Sequence, residues 1–174
     1  VRYLQYAGEN ALQRSAHPEA LQHLTQGLTL LATLPETLER AQLELDLQIA
    51  LGQAWSATKS HGAPEVEQTY ARARALCAQV GETPQIFPAL WGLWRFYNAR
   101  GALLTVRELG EQLVQLAECQ ADPTHRMAAY AALGHSPSSG SNDGVQMPDG
   151  VAYFASRGAC LGQVHGGVIA AAFG

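Results

Sequence analysis

The residues from Ala41 to Val80 constrain the fold of this chain more than any other stretch, because they predict two helices joined by a short turn. In the second half, apolar residues recur at alternating intervals of four and three, the spacing of one apolar stripe on a helix. These residues are Val66, Tyr70, Ala73, Cys77 and Val80. Pro64 stands just before them, where a first helical turn tolerates its missing N–H. The stretch therefore predicts a helical hairpin.

The first half of this stretch also has the pattern of a half-buried strand. Five apolar residues alternate there with more polar ones, namely Leu43, Leu45, Leu47, Ile49 and Leu51. However, residues 37 to 57 contain no Pro and are rich in Glu, Gln, Ala and Leu, which favour a helix. On a helix, the polar residues Glu39, Gln42, Asp46 and Gln53 fall within one narrow arc. We therefore predict a helix that is buried on several sides.

The same signals predict helices on both sides of this hairpin. Pro35 ends the second helix, and Gly81 and Gly101 occupy positions where a helix end favours a residue that tolerates positive φ. The fifth helix has two alternative starts. Either Thr83 caps it and Pro84 lies in its first turn, or it begins near Phe87, because Pro88 would interrupt a helix already running from Pro84. The other predicted helices cover 3–13, 18–34, about 106–117 and 123–134, the last opened by Asp122-Pro123.

The composition changes after Gly134. Residues 135–150 are dense in Ser, Gly, Pro, Asn and Asp and have no apolar period, which predicts a linker. Residues 151–174 are apolar and interrupted by glycines, and we interpret them as a short helical tail of unknown role. The predicted domain is thus 1–134. Because the chain begins with Val1 and stops just after an apolar run, both ends are consistent with a piece of a larger protein.

Composition argues against several classes of protein. The formal net charge is −4 with a single lysine among 174 residues, so no basic stripe is available to bind nucleic acid. Cys77, Cys119 and Cys160 are odd in number and far apart, which argues against a disulfide framework or a zinc site and favours a reducing cytoplasm. No leader sequence and no long uncharged apolar stretch is evident, so we expect neither export nor a membrane span.

Internal periodicity predicts the fold class. Equivalent small and large residues recur about 40 to 44 positions apart and can be aligned with the 34-residue tetratricopeptide pattern. The aligned residues are Leu4, Gly8, Ala20, Leu24 and Gly27 in the first hairpin, Leu51, Gly52, Trp55, Val66, Tyr70 and Ala73 in the second, and Leu90, Leu93, Tyr97, Gly101, Val106, Gly110 and Leu113 in the third. A fourth begins with Tyr130, Leu133 and Gly134. We predict an all-α, tetratricopeptide-like α-solenoid of antiparallel helix hairpins.

The segment from Ala63-Pro64-Glu65-Val66 through Trp94 also carries a family resemblance, which extends over about 4–134. It resembles the tetratricopeptide-like region of large bacterial signalling ATPases, which often join it to a class III adenylate or guanylate cyclase domain and a STAND-type P-loop ATPase domain. The resemblance implies a module for signal transduction that binds a protein or peptide, including an ATPase or cyclase domain of the same chain. Val106 and Gly110 replace the alanines usual in that family. Residues 150–174 faintly resemble a segment of an uncharacterised helical bacterial family.

Aromatic and arginine residues supply the candidate partner-binding groove, which comprises Trp55, Trp91, Arg95, Tyr97 and Arg100. Aromatic residues dominate interface hot spots, and arginines bind carboxylates. For Arg95 and Arg100 the alternative is a solvated surface charge, which we prefer. The alternative for the aromatic residues of the fifth helix, Phe96 and Trp94 among them, is packing between helices, and we prefer it. If Trp94 is buried, Trp94→Ala should destabilise the chain by about 3 to 5 kcal/mol.

No catalytic motif is evident, and no cofactor or metal is predicted. Lys59 lacks the glycine-rich context of a phosphate-binding loop, and the six histidines have no metal-binding spacing. We therefore predict a non-enzymatic interaction module, whose concave side is lined mainly by helices one, three and five and takes a peptide or the protein's own catalytic domain. One alternative is an enzyme with a site between the repeats and the tail, around Ser156, Cys160 and His165. Another is a truncated or chimeric product without an independent function.

Overall fold

The computed structural model describes residues 1–81, 83–120 and 122–134, and in these ranges the chain is helical with no strand. The prediction of an all-α fold is therefore confirmed for these residues. The predicted linker at 135–150 and the predicted tail at 151–174 lie outside the described residues. The helices are α1 (Arg2–Gln13), α2 (His17–Ala32), α3 (Leu38–Thr58), α4 (Pro64–Val80), α5 (Ile86–Arg100), α6 (Leu103–Gln120) and α7 (Pro123–Gly134).

The chain divides into two compact units, and the boundary falls inside α6, between Leu109 and Gly110. In the first unit, each helix from α1 to α4 packs against the next helix along the chain. In addition, α1 contacts α3, and α3 contacts α5. The first helix of each hairpin therefore lies beside the first helix of the next one.

Helix α3 is buried on two sides, which explains the alternation that resembled a strand. Leu47 and Leu51 belong to a first cluster, formed with residues of α1 and α2 that include Ala11, Leu24 and Leu31. Leu45 instead belongs to a second cluster with Ala73, Leu76 and Cys77 of α4 and Ala89 of α5. Leu43 packs on the first cluster and Ile49 on the second. Two helical stripes thus interleave along α3, and the strand interpretation is excluded.

Glycines permit close helix contacts at two places, which we name the first joint and the second joint. At the first joint, a Cβ atom on Gly8 of α1 would lie 2.7 Å from Cγ of Leu24 in α2. At the second joint, the ring of Tyr70 in α4 touches two glycines. A Cβ on Gly52 of α3 would lie 2.6 Å from Tyr70 Cζ, and one on Gly92 of α5 would lie 2.4 Å from Tyr70 Cε2.

The helix ends follow local chemistry. The Thr37 hydroxyl accepts a hydrogen bond from the Arg40 N–H at 3.2 Å and caps α3. Gly81 and Gly101 have positive φ after α4 and α5, as predicted. Helix α5 begins at Ile86, so the second predicted start is the closer one and the prediction that Thr83 caps this helix is wrong. Pro88 then lies in the first turn, where its missing N–H breaks no helical hydrogen bond.

The described part of the second unit consists of the end of α6 and α7. Asp122 caps α7 through its Oδ1, which accepts hydrogen bonds from the backbone N–H groups of Thr124 at 2.8 Å and His125 at 3.3 Å. This confirms the predicted cap and lowers the pKa of the Asp122 carboxyl. The Tyr130 hydroxyl donates to Oε1 of Glu118 at 2.7 Å and so links the two helices.

Candidate functional site

A groove of about 490 Å³ lies in the first unit between α1 and α3. Its lining combines apolar, amide and charged side chains. The lining residues are Arg2, Gln5 and Tyr6 of α1, Leu38, Glu39, Gln42, Leu43 and Asp46 of α3, and Val80 at the end of α4. We call this feature the α1–α3 groove. It follows from the contact between the first helices of two neighbouring hairpins, which leaves a furrow along their shared side.

The apolar part of the α1–α3 groove is open to solvent. Tyr6 is 70% exposed and Leu38 is 64% exposed, whereas Leu43 is half-buried. Large apolar side chains with this exposure gain free energy when a partner removes them from water. Tyr3 is even more exposed, at 81%, but it does not line the groove. The two tyrosines therefore provide a natural matched pair for experiments.

Asp46 is the most perturbed carboxylate of the groove. Burial raises the pKa of its carboxyl, and the nearby charge of Glu9 raises it further. Hydrogen bonds from the side chains of Gln85 and Gln42 act in the opposite direction on this pKa. The Gln85 Nε2 group donates to Asp46 Oδ1 at 3.1 Å. Two amides thus hold the carboxylate in place without supplying a positive charge.

The other charged side chains around the groove also form no ion pair with a described residue. Glu39 and Arg2 line it, and Glu9 on α1 accepts a hydrogen bond from Gln5 Nε2 at 3.0 Å. Within the described ranges, none of Arg2, Glu9, Glu39 and Asp46 is part of an ion pair. Among the described residues, three carboxylates therefore lie in or near the α1–α3 groove with one guanidinium, so the net charge of these four groups is negative.

The structure places four of the five predicted groove residues around the turn between α3 and α4. Lys59 lies over the ring of Trp55, 4.9 Å from its centroid. The aliphatic part of the Arg100 side chain lies against the same turn, because a Cβ atom added to Gly62 would be 3.5 Å from Arg100 Cδ. The Tyr97 hydroxyl donates to Glu67 Oε1 at 2.7 Å, which raises the pKa of Tyr97 to about 12.

Arg95 is exposed and acts on the same turn through its charge. The pKa of His61 is lowered by burial first and by the positive charge of Arg95 second. Arg95 also lowers the pKa of Tyr70, although burial outweighs it. The four residues Trp55, Arg95, Tyr97 and Arg100 thus come together at one end of the second hairpin. Their role in binding a partner stays a prediction.

Trp91, the fifth predicted groove residue, belongs to a stack along α5. Its ring lies 5.1 Å from that of Trp94 at an interplanar angle of 15°, and 6.4 Å from that of Phe87 at 11°. Trp94 and Phe96 are buried, at 6% and 4% exposure. The burial of Trp94 and Phe96 agrees with packing between helices for these two side chains. The α1–α3 groove is lined by none of the five predicted residues.

Sequence reasoning predicted a binding surface on helices one, three and five but missed the residues of this groove, although one signal was available. Glu39, Gln42 and Asp46 fall on one arc of an otherwise apolar helix, and all three line the groove. That arc alone is also typical of a solvated helix face, so it does not reveal a neighbouring helix. Tyr6 and Leu38 become informative only when the contact between α1 and α3 is known.

The chain matches no protein-family model, and no curated protein or solved structure matches it. In residues 1–81, 83–120 and 122–134, no helix has the length and apolar character that a membrane span needs. Nor do these residues bring together three His, Cys, Asp or Glu side chains that could hold a metal ion. Ser156, Cys160 and His165 lie outside the described residues. The α1–α3 groove is therefore the feature from which a function can be argued.

Proposed function

We propose that residues 1–134 form a tetratricopeptide-like repeat module that binds a protein or peptide segment without catalysing a reaction. The α1–α3 groove is the observation that carries this proposal. It is formed by the first helices of two successive hairpins and exposes Tyr6 and Leu38 beside polar groups that can hydrogen-bond a peptide. Grooves that combine apolar anchors with a few polar groups are typical of peptide recognition.

The two joints support the repeat interpretation. Gly8 and Leu24 were aligned with Gly52 and Tyr70 on sequence alone, and each glycine indeed lies against its aligned large residue. The contacts of α1 with α3 and of α3 with α5 are those that stacking of hairpins requires. Tetratricopeptide-like stacking is therefore our interpretation of the helical arrangement.

The wider role rests on the resemblance to signalling ATPases. On that basis we propose that the parent protein is cytoplasmic, and that the partner is an ATPase or cyclase domain of the same chain or a separate protein. Residues 1–134 would then transmit or scaffold a nucleotide-dependent signal. Sequencing the flanking coding region for a P-loop and a cyclase domain tests this part of the proposal.

Selection from a displayed peptide library against the whole chain tests binding by the groove. We expect the selected peptides to lose affinity on Tyr6→Ala or Leu38→Ala, because these side chains are the exposed apolar part of the groove. Tyr3→Ala and Leu104→Ala remove side chains that are even more exposed but lie outside the groove, and they should leave the affinity unchanged. Peptides that bind all four variants equally well would contradict binding in the groove.

A further inference from the structure

The distribution of charge in the α1–α3 groove restricts what can bind there. Glu39 and Asp46 line the groove, and Glu9 is close enough to raise the pKa of Asp46. Arg2 is the positively charged residue among the lining side chains. The groups that fix Asp46 are the amides of Gln42 and Gln85, which donate hydrogen bonds but carry no charge.

The surroundings of the Asp46 carboxylate do not fully stabilise its negative charge. Its partial burial removes water, and the neighbouring carboxylate of Glu9 repels it. A cationic group that entered the groove would relieve both effects by forming charge-assisted hydrogen bonds. An anionic group would meet the carboxylates of Glu39 and Asp46, with Arg2 as the one lining cation, and like-charge contacts oppose association.

The apolar side chains specify what should stand beside the cation. Tyr6 and Leu38 are exposed, and Leu43 and Val80 complete the apolar lining. A lysine or arginine stem followed by an aliphatic side chain covers such a surface while its charged head reaches a carboxylate. A tyrosine ring also attracts a cation placed over its face.

We propose that the α1–α3 groove binds a peptide segment in which a lysine or arginine stands next to an aliphatic residue, with the cation at Asp46 and the aliphatic side chain on Tyr6 and Leu38. This inference rests on the proposed peptide-binding function and adds the chemistry of the partner. It assigns the two parts of the groove to two adjacent side chains of one segment. It also predicts weaker binding of an acidic segment.

Three short blocked peptides that differ at one position test the charge preference. Each carries a leucine beside a lysine, a glutamine or a glutamate. We expect the lysine peptide to bind the whole chain at least about tenfold more tightly than the glutamate peptide, since a charge-assisted hydrogen bond contributes about 1.5 to 3 kcal/mol. The preference should shrink at high salt, which screens exposed charges.

Variants of the carboxylates locate the effect. Asp46→Asn keeps the oxygen that accepts from Gln85, and together with Glu39→Gln it should reduce the lysine preference to about threefold or less. Glu36→Gln removes an exposed carboxylate that does not line the groove and should leave the preference intact. Far-UV circular dichroism and thermal melting check that each variant is folded. Carboxyl NMR adds a second readout, because the lysine peptide should lower the pKa of Asp46.

The outcomes separate this inference from the proposed function. A glutamate peptide that binds as well as the lysine peptide, or a preference that Asp46→Asn with Glu39→Gln leaves unchanged, overturns the inference. If library peptides bind the groove but carry no basic residue, the inference fails and the proposed function stands. If no peptide depends on Tyr6 or Leu38, both fail. A self-association that Tyr6→Ala abolishes would identify a second copy as the occupant and also overturn it.

Discussion

At both joints a large side chain lies against a glycine of a neighbouring helix, but the side chains differ. At the first joint, Leu24 of α2 lies against Gly8 of α1, within a single hairpin. At the second joint, Tyr70 of α4 lies against Gly52 within its own hairpin and also against Gly92 of α5. The flexible side chain of Leu24 thus meets a glycine on one neighbouring helix, whereas the rigid ring of Tyr70 meets glycines on two. The comparison teaches that the second joint also fixes the next helix in place.

The largest effect is expected from removing the ring. Tyr70 is 6% exposed, and Tyr70→Ala should lower the free energy of unfolding by about 3 to 5 kcal/mol. Leu24→Ala, also at a fully buried site, should cost somewhat less, because Leu24 lies against one glycine rather than two. Chemical denaturation monitored by circular dichroism measures both. Equal losses would remove the distinction between the joints.

Alkaline pH should affect the second joint and not the first, which has no titratable side chain. Burial raises the pKa of Tyr70 to about 12, so the fold favours its protonated form. This stabilisation is complete below the unfolded pKa of about 10 and is lost as the pH rises toward 12. We expect a loss of about 2 to 3 kcal/mol over that range.

Denaturation at several pH values tests the alkaline effect. Tyr70→Phe should reduce the dependence without abolishing it. The remaining slope should come from Tyr97 and Tyr130, whose pKa values are raised first by their hydrogen bonds to Glu67 and Glu118, and from Cys77, whose pKa burial raises to about 11. Tyr3→Phe, on an exposed part of α1, controls for the substitution itself. An unchanged slope in Tyr70→Phe would mean that the hydroxyl is not buried as described.

Adding a methyl group to the second joint should have a smaller effect. The Cβ of Gly92→Ala would approach three ring atoms of Tyr70 to 2.4 or 2.5 Å. The ring cannot move away toward α3, because it already lies against Gly52 there. We expect a loss of about 1 to 3 kcal/mol from overpacking. Combining Gly92→Ala with Tyr70→Leu, which makes the second joint like the first, should cost less than the sum of the single changes. Simple additivity in thermal or chemical melts would argue against the contact.

The smallest effect is expected at Gly8. Gly8→Ala brings a Cβ close to Leu24, but a leucine side chain can change rotamer more easily than a ring can shift. The gain in helix propensity, about 1 kcal/mol, offsets much of that strain. The net change in unfolding free energy should therefore lie within about 1 kcal/mol of zero. A loss as large as that of Gly92→Ala would show that the two joints are equally rigid.

The sequence predicted the helices well because their signals are local. Asp122 and Gly101 mark helix ends through hydrogen bonding and positive φ, which depend on few neighbours. The start of α5 stayed ambiguous because Pro84 and Pro88 both suit a first turn. A binding surface on helices one, three and five was predicted, but the residues of the groove were not, because they depend on how closely α1 approaches α3, and helix packing distance is a property of tertiary contacts. Predicted site residues such as Trp91 are instead engaged in ring stacking.

The two-sided burial of α3 has a consequence for how the first unit opens. Leu45 and Leu47 are two residues apart in sequence, yet they belong to different clusters. The backbone amides of this segment can become accessible to deuterium only when both clusters have separated. Hydrogen exchange at α3 therefore reports the cooperative unfolding of the helices on both of its sides. Helix α3 couples the stability of one cluster to that of the other.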